Sequence, residues 1–187
     1  MKKAQHQLHA RIGSIIKTAV RNQSDCQVIL DAACTTKGKG QQISLYADTK
    51  DSSINVVRVD AAIIKHNKVI AIVEIEESGR IPSRLYAKFF SAYSCNKYMR
   101  GTDELSLSET LRYCQVYSAA NFEANTSRLR SWAYNAENIK KFLKAINSSK
   151  GKNRRAWRYE YFAGTTADFA EGSEDHLKLV EFLTKAL

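Results

Sequence analysis

Residues 54–77 read INVVRVDAAIIKHNKVIAIVEIEE. Two runs rich in Val, Ile and Ala flank the polar triplet His66-Asn67-Lys68, and period-two alternation on both sides predicts a β-hairpin. Val57, Val59, Ala61 and Ile63 take one face of the first strand, and Val56, Arg58, Asp60, Ala62 and Ile64 the other. On the return strand Val69, Ala71, Val73 and Ile75 alternate with Ile70, Ile72, Glu74 and Glu76. A turn centred on Asn67 sets Asp60 directly across from Glu74, with Cβ atoms about 5 Å apart. Glu76 follows on the same face as Glu74. A slip of one residue would put Asp60 and Glu74 on opposite faces, and the alternation favours the in-phase register.

Acids gathered in apolar strands repel one another and lose solvation, so stability alone is a poor reason to keep them. A divalent cation would neutralise them. Oxygen ligands with no His or Cys nearby in sequence point to Mg2+ rather than zinc. The competing reading makes the acids gatekeepers on an exposed edge strand. Val69-Ile70-Ala71-Ile72-Val73 ahead of Glu74 reads instead as interior.

Working outward, residues 3–22 predict a helix, with Leu8, Ile12, Ile15, Ile16, Ala19 and Val20 at helical spacing. Residues 27–33 and 43–47 predict short strands, with a Gly- and Lys-containing loop between them. Pro82 suits the first turn of a helix running to about Met99. Residues 111–118 predict a buried strand, 127–146 a long helix, 148–155 a basic loop, 156–163 an aromatic strand and 174–187 a final helix. The expected fold class is therefore α/β, a central mixed sheet flanked by helices on both faces. No repeat or linker divides the chain, so residues 1–187 are expected to form a single domain.

The 187 residues carry a net charge of +10, and their composition, 44% hydrophobic and 26% charged, is that of a globular protein. No apolar run is long enough to span a membrane. Arg11 and Lys17 interrupt any secretory core. Residues 1–22 hold five basic and no acidic side chains, and residues 125–160 hold ten basic and two acidic. Two basic blocks suit a polyanion partner such as DNA, although a merely soluble basic surface also produces them. Cys26, Cys34, Cys95 and Cys114 form no C-x-x-C pair and read as reduced thiols of a cytoplasmic protein. His6 and His9, three residues apart on the first helix, could share a ligand but read as part of an exposed helix face.

The pattern V-D60 … I-V-E74-I-E76-E77-S resembles the PD-(D/E)xK nuclease superfamily, a restriction-endonuclease-like fold. The resemblance implies a Mg2+-dependent endonuclease in which Asp60 and Glu74 bind the metal, the carbonyl of Ile75 is a backbone ligand, and Asp60, Glu74 and Glu76 are catalytic. Glu76 stands where the family usually has Lys, as in a subset of restriction endonucleases, and Val59 replaces the proline that usually precedes the Asp. Chain size and V-E-I-E-E-S-G resemble more narrowly the small cleavage subunit of heterodimeric type IIS restriction enzymes. That likeness implies a larger recognition and nicking subunit as partner and hydrolysis of one DNA strand by this chain.

Arg84 and Lys88, four residues apart on the helix after the hairpin, could reach phosphates. Lys150, Lys152, Arg154, Arg155 and Arg158, interleaved with Trp157 and Tyr159, form a second candidate DNA backbone contact. Glu77 points away from the catalytic face and is left outside the site. The remaining alternatives are a homodimeric restriction enzyme, a transposase or repair endonuclease of the same fold, and a non-catalytic nucleic-acid-binding subunit.

Overall fold

A computed structural model describes residues 6–36, 38–47, 56–77, 83–100, 103–120, 126–148 and 155–187. In chain order these form α1 (Gln7–Val20), β1 (Cys26–Leu30), β2 (Ile43–Tyr46), β3 (Val57–Val59), β4 (Ala61–Lys65), β5 (Lys68–Glu76), α2 (Ser83–Tyr93), β6 (Lys97–Arg100), β7 (Asp103–Ser118), α3 (Thr126–Ser148), β8 (Ala156–Gly164) and α4 (Glu174–Thr184). The strands make one mixed sheet in the order β1-β4-β5-β7-β6-β2-β3, with β8 beside β7. The β5–β7 and β7–β8 pairs are parallel and the others antiparallel. This is the expected α/β arrangement. No helix among the described residues is long and apolar enough to cross a membrane.

Two apolar cores lie on opposite faces of the sheet. On one, α2 and α3 bury Leu85, Phe89, Ala92, Trp132, Ala136, Ile139 and Leu143 against Val69, Ile72, Tyr113 and Tyr117. On the other, α1 and α4 bury Leu8, Ile12, Ile16, Leu179 and Leu183 against Ala71, Val73, Ile75 and Val116. Consecutive residues of β5 thus feed both cores, which is why the strand reads as an uninterrupted apolar run.

The hairpin departs from expectation in an informative way. Its turn is the two-residue His66-Asn67, both with positive φ (48° and 57°), the backbone that suits the twist of a tight hairpin. Lys65 pairs with Lys68 and Ile64 with Val69, and an irregularity at Ile70 then brings Ile63 opposite Ala71 and Ala61 opposite Val73. The shorter turn and the bulge compensate, so the in-phase register holds at the acid end. The first strand, however, does not run through. It breaks at Asp60, where β3 leaves to pair with β2 and β4 begins its pairing with β1 and β5. Val57 and Val59 accordingly share a core with Ala62 and Ile64, while Ala61 and Ile63 face the other.

Two further boundaries move. The helix after Pro82 ends at Tyr93, and Lys97–Arg100 form strand β6. Strand β7 begins at Asp103, since only Leu105 and Leu107 of its polar first half face the core and the sequence there resembles a loop. β7 changes partners midway, pairing with β6 before Leu107 and with β8 from Thr110 onward.

Gly13 lets α1 settle on the 3-10 turn at Ala32–Cys34. A Cβ there would lie 2.0 Å from the Cys34 carbonyl oxygen. Gly13→Ala is therefore expected to lower stability by about 3 kcal/mol through overpacking, despite alanine's better helix propensity. A fall in the urea midpoint checks this, and an unchanged midpoint would show that α1 can shift freely.

Candidate active site at the end of the hairpin

The site is assembled where β3, β4 and β5 part. Val73 is the last residue of β5 with a ladder partner on β4, and beyond it the N–H of Ile75 faces the gap left by β3. The Asp60 carboxylate fills that gap: Oδ2 accepts the Ile75 N–H at 2.7 Å. An extended residue directs its N–H and C=O to the same side, so the Ile75 carbonyl also faces Asp60. On one side, His9 of α1 brings Nε2 to 3.9 Å from Asp60 Oδ1. On the other, the charge of Lys88 on α2 also reaches Asp60.

Glu74 lies beneath α2 among Leu85, Val116, Tyr117 and Trp132, only 3% exposed. The Lys88 ammonium sits against its Oε1, and apart from that ion pair neither carboxylate oxygen accepts a hydrogen bond among the described residues. Glu76, Arg84 and Lys88 line the same small cleft. Gln115, opposite Glu74 on β7, donates to the Leu85 carbonyl at 3.2 Å and accepts from the Tyr159 hydroxyl at 2.8 Å. It thereby fixes α2, and with it Lys88, over the carboxylate.

Asp60 and Glu74 are therefore each matched by a partner within the chain, the Ile75 N–H and the Lys88 ammonium, rather than left as bare repelling acids. Burial pushes the Asp60 carboxyl above its usual range, an effect opposed by His9, by the Ile75 N–H and by Lys88. Burial likewise pulls the Lys88 ammonium below its usual range, with Asp60 opposing.

The remaining expected site residues separate. Arg84 is exposed at the cleft mouth. Lys88, expected as a phosphate contact, is the half-buried partner of Glu74. Arg155 also corrects the expectation. Its guanidinium donates to the carbonyls of Ser108 (2.8 Å), Cys95 (3.0 Å) and Leu107 (3.5 Å), securing the backbone where β7 changes partners. That makes it a structural clamp. Arg158 is exposed on β8, level with Arg112 rather than with Gln115, and stands away from the acids. Lys150, Lys152 and Arg154 lie outside the described residues.

Two residues at the site escaped the sequence reading. His9, expected on an exposed face, is 7% exposed and donates from Nδ1 to Glu77 Oε2 at 2.6 Å. Glu77 Oε1 accepts the Leu8 N–H at 2.6 Å, capping α1 from a distant part of the chain, because His6 offers the helix no side-chain cap. A signal for His9 existed: it shares a helical stripe with Ile12, Gly13 and Ile16.

A group held above its unfolded pKa contributes stability at low pH and loses it as pH rises through the folded value. Asp60 is therefore expected to lower stability progressively above about pH 4. Asp60→Asn should flatten that slope, since the amide oxygen still accepts the Ile75 N–H. Asp60→Ala should cost about 1–3 kcal/mol by leaving that N–H unpaired. Urea unfolding of the three proteins between pH 4 and 8 separates these effects, and a wild-type slope in the Asn variant would clear Asp60 of the role.

Neither a scan against protein-family models nor searches of curated proteins and of solved structures finds a match to this chain.

Proposed function

We propose that the chain is a Mg2+-dependent DNA endonuclease subunit of the PD-(D/E)xK type that hydrolyses one strand, with sequence recognition supplied by a larger partner subunit. The observation that carries this reading is that Lys88 of α2 pairs with buried Glu74 and its charge also reaches Asp60, whose carboxylate accepts the Ile75 N–H where β5 leaves the hairpin ladder, with Glu76 lining the cleft of Glu74 and Lys88. The donor set suits a hard cation: the Asp60 carboxylate, a buried Glu74 carboxylate with no hydrogen-bond donor beyond Lys88 among the described residues, and the carbonyl of Ile75, next to Glu74 in the chain.

Asp60, Glu74 and the Ile75 carbonyl would hold Mg2+, which when bound supplies charge neutralisation at the scissile phosphate and a more acidic water. Glu76, at the cleft, accepts the proton of the attacking water. Lys88 supplies from α2 the ammonium that the resemblance places on the strand, where this chain has Glu76. It orients Glu74 and offers an N–H donor to the developing phosphate charge. Arg84 at the mouth holds a neighbouring phosphate. The partner is inferred from the described elements, each of which belongs to the sheet or covers it, leaving base readout to a second chain.

Asp60→Asn and Glu74→Gln are each expected to abolish Mg2+-dependent nicking of supercoiled plasmid while retaining the fold, and Lys88→Ala to slow it by about 10²–10³. Wild-type nicking by both carboxamide variants would overturn the site. Mg2+ should raise the melting temperature, and Asp60→Asn should remove most of that shift. Arg84→Glu should lower the log–log salt slope of duplex binding, measured in Ca2+, by about 0.9 per lost phosphate contact. Site-specific double-strand cleavage by the chain alone would overturn the subunit reading.

A further inference from the structure

On the face of the sheet away from Glu74, three metal-ligating side chains converge. His6 Nδ1 lies 3.7 Å from Glu77 Oε2, and His9 Nδ1 lies 2.6 Å from the same oxygen. All three ligand atoms fall within 4.8 Å of one another. The imidazoles meet edge to face, with centroids 5.2 Å apart. His6 has a left-handed backbone (φ 80°), which a non-glycine residue seldom adopts, and its ring stands at the start of α1 beside Glu77.

We propose that His6, His9 and Glu77 form a second cation site, selective for a borderline transition metal of the zinc class and separate from the hard-oxygen site of Asp60 and Glu74. Two imidazoles and a carboxylate are the ligand types of three-ligand zinc centres. Metal–ligand distances of about 2.0–2.1 Å place tetrahedral ligands about 3.4 Å apart, so the His6–Glu77 separation needs little change and the His9–Glu77 contact opens by about 0.8 Å. Exposed His6 gives the ion an entry, and the fourth position takes water from the same side. With the metal on Nδ1, the His9 ring carries its proton on Nε2, which already faces Asp60 Oδ1 at 3.9 Å. A carboxylate behind a metal-bound imidazole is the usual outer-shell partner, here supplied by Asp60. The site therefore links a transition metal on α1 to the acid at the sheet break, and its ligands stand whether or not the chain cuts DNA.

The test is titration of the full chain with Co2+ in excess Mg2+, which saturates the oxygen site, followed by visible absorption and by Zn2+ competition. The expected result is one equivalent of Co2+ with the intense absorption of four- or five-coordinate, nitrogen-ligated metal, displaced by Zn2+. His6→Ala spares the fold because His6 is exposed. Glu77→Gln keeps an acceptor for the Leu8 N–H. Each should weaken Co2+ by more than the about 10–100-fold typical of losing an outer-shell partner. Glu74→Gln, which removes a ligand of the oxygen site and touches none of His6, His9 and Glu77, should keep the absorption, and this separates the proposal from the nuclease reading. Absorption no stronger than that of the aquo ion, indifference to His6→Ala and Glu77→Gln, or loss of the signal in Glu74→Gln would each overturn it.

Discussion

The hydrogen bond from the Ile75 N–H to the Asp60 carboxylate is the constraint on which the rest depends. The sheet has two arms, β1-β4-β5 and β7-β6-β2-β3, and the chain passes from the end of the second into the first through the single residue Asp60. A backbone that leaves one ladder to join another strands an N–H on the strand it abandons, and a buried N–H without a partner is costly. A side-chain carboxylate at the point of departure satisfies it. The same act brings an acid to the end of β5, next to the carbonyl of Ile75 and one residue from Glu74. The repair of the backbone and the chemistry of the site are thus a single feature.

The helices complete the arrangement from both sides. α2 carries Lys88 onto Glu74, and Gln115 holds that helix by the carbonyl of Leu85. α1 carries His9 toward Asp60, and Glu77 holds that helix by the N–H of Leu8. In each case a polar residue on a central strand or just beyond its end grips the backbone of a helix whose own side chain faces an acid. The buried charges are consequently paired or hydrogen-bonded, as burial requires.

The hairpin, its register at the acids and the covering helices were legible because alternation over residues 61–76 and helical spacing over 126–148 are strong local signals. The break at Asp60 was not, since Val57, Val59, Ala61 and Ile63 alternate smoothly across it and only long-range pairing with β2 redirects the chain. The first half of β7 was hidden by its polar exposed face. Lys88 and Arg155 looked like DNA phosphate contacts because their partners, Glu74 on one side and the carbonyls of Cys95, Leu107 and Ser108 on the other, are distant in sequence. His9 was misjudged as exposed although its spacing from Ile12 and Ile16 placed it on the buried stripe.

The bulge at Ile70 has an evolutionary corollary. Ile64–Val69 and Lys65–Lys68 pair as a tight hairpin dictates, and Ile63–Ala71 pairs as though Ile70 were absent. A chain lacking that residue would join the two segments into one regular ladder with every partner beyond it unchanged. Loss of Ile70 would thus be absorbed before it reaches the acids, whereas a single-residue indel between Ala71 and Glu74 would put the strand out of phase with the chemistry it carries.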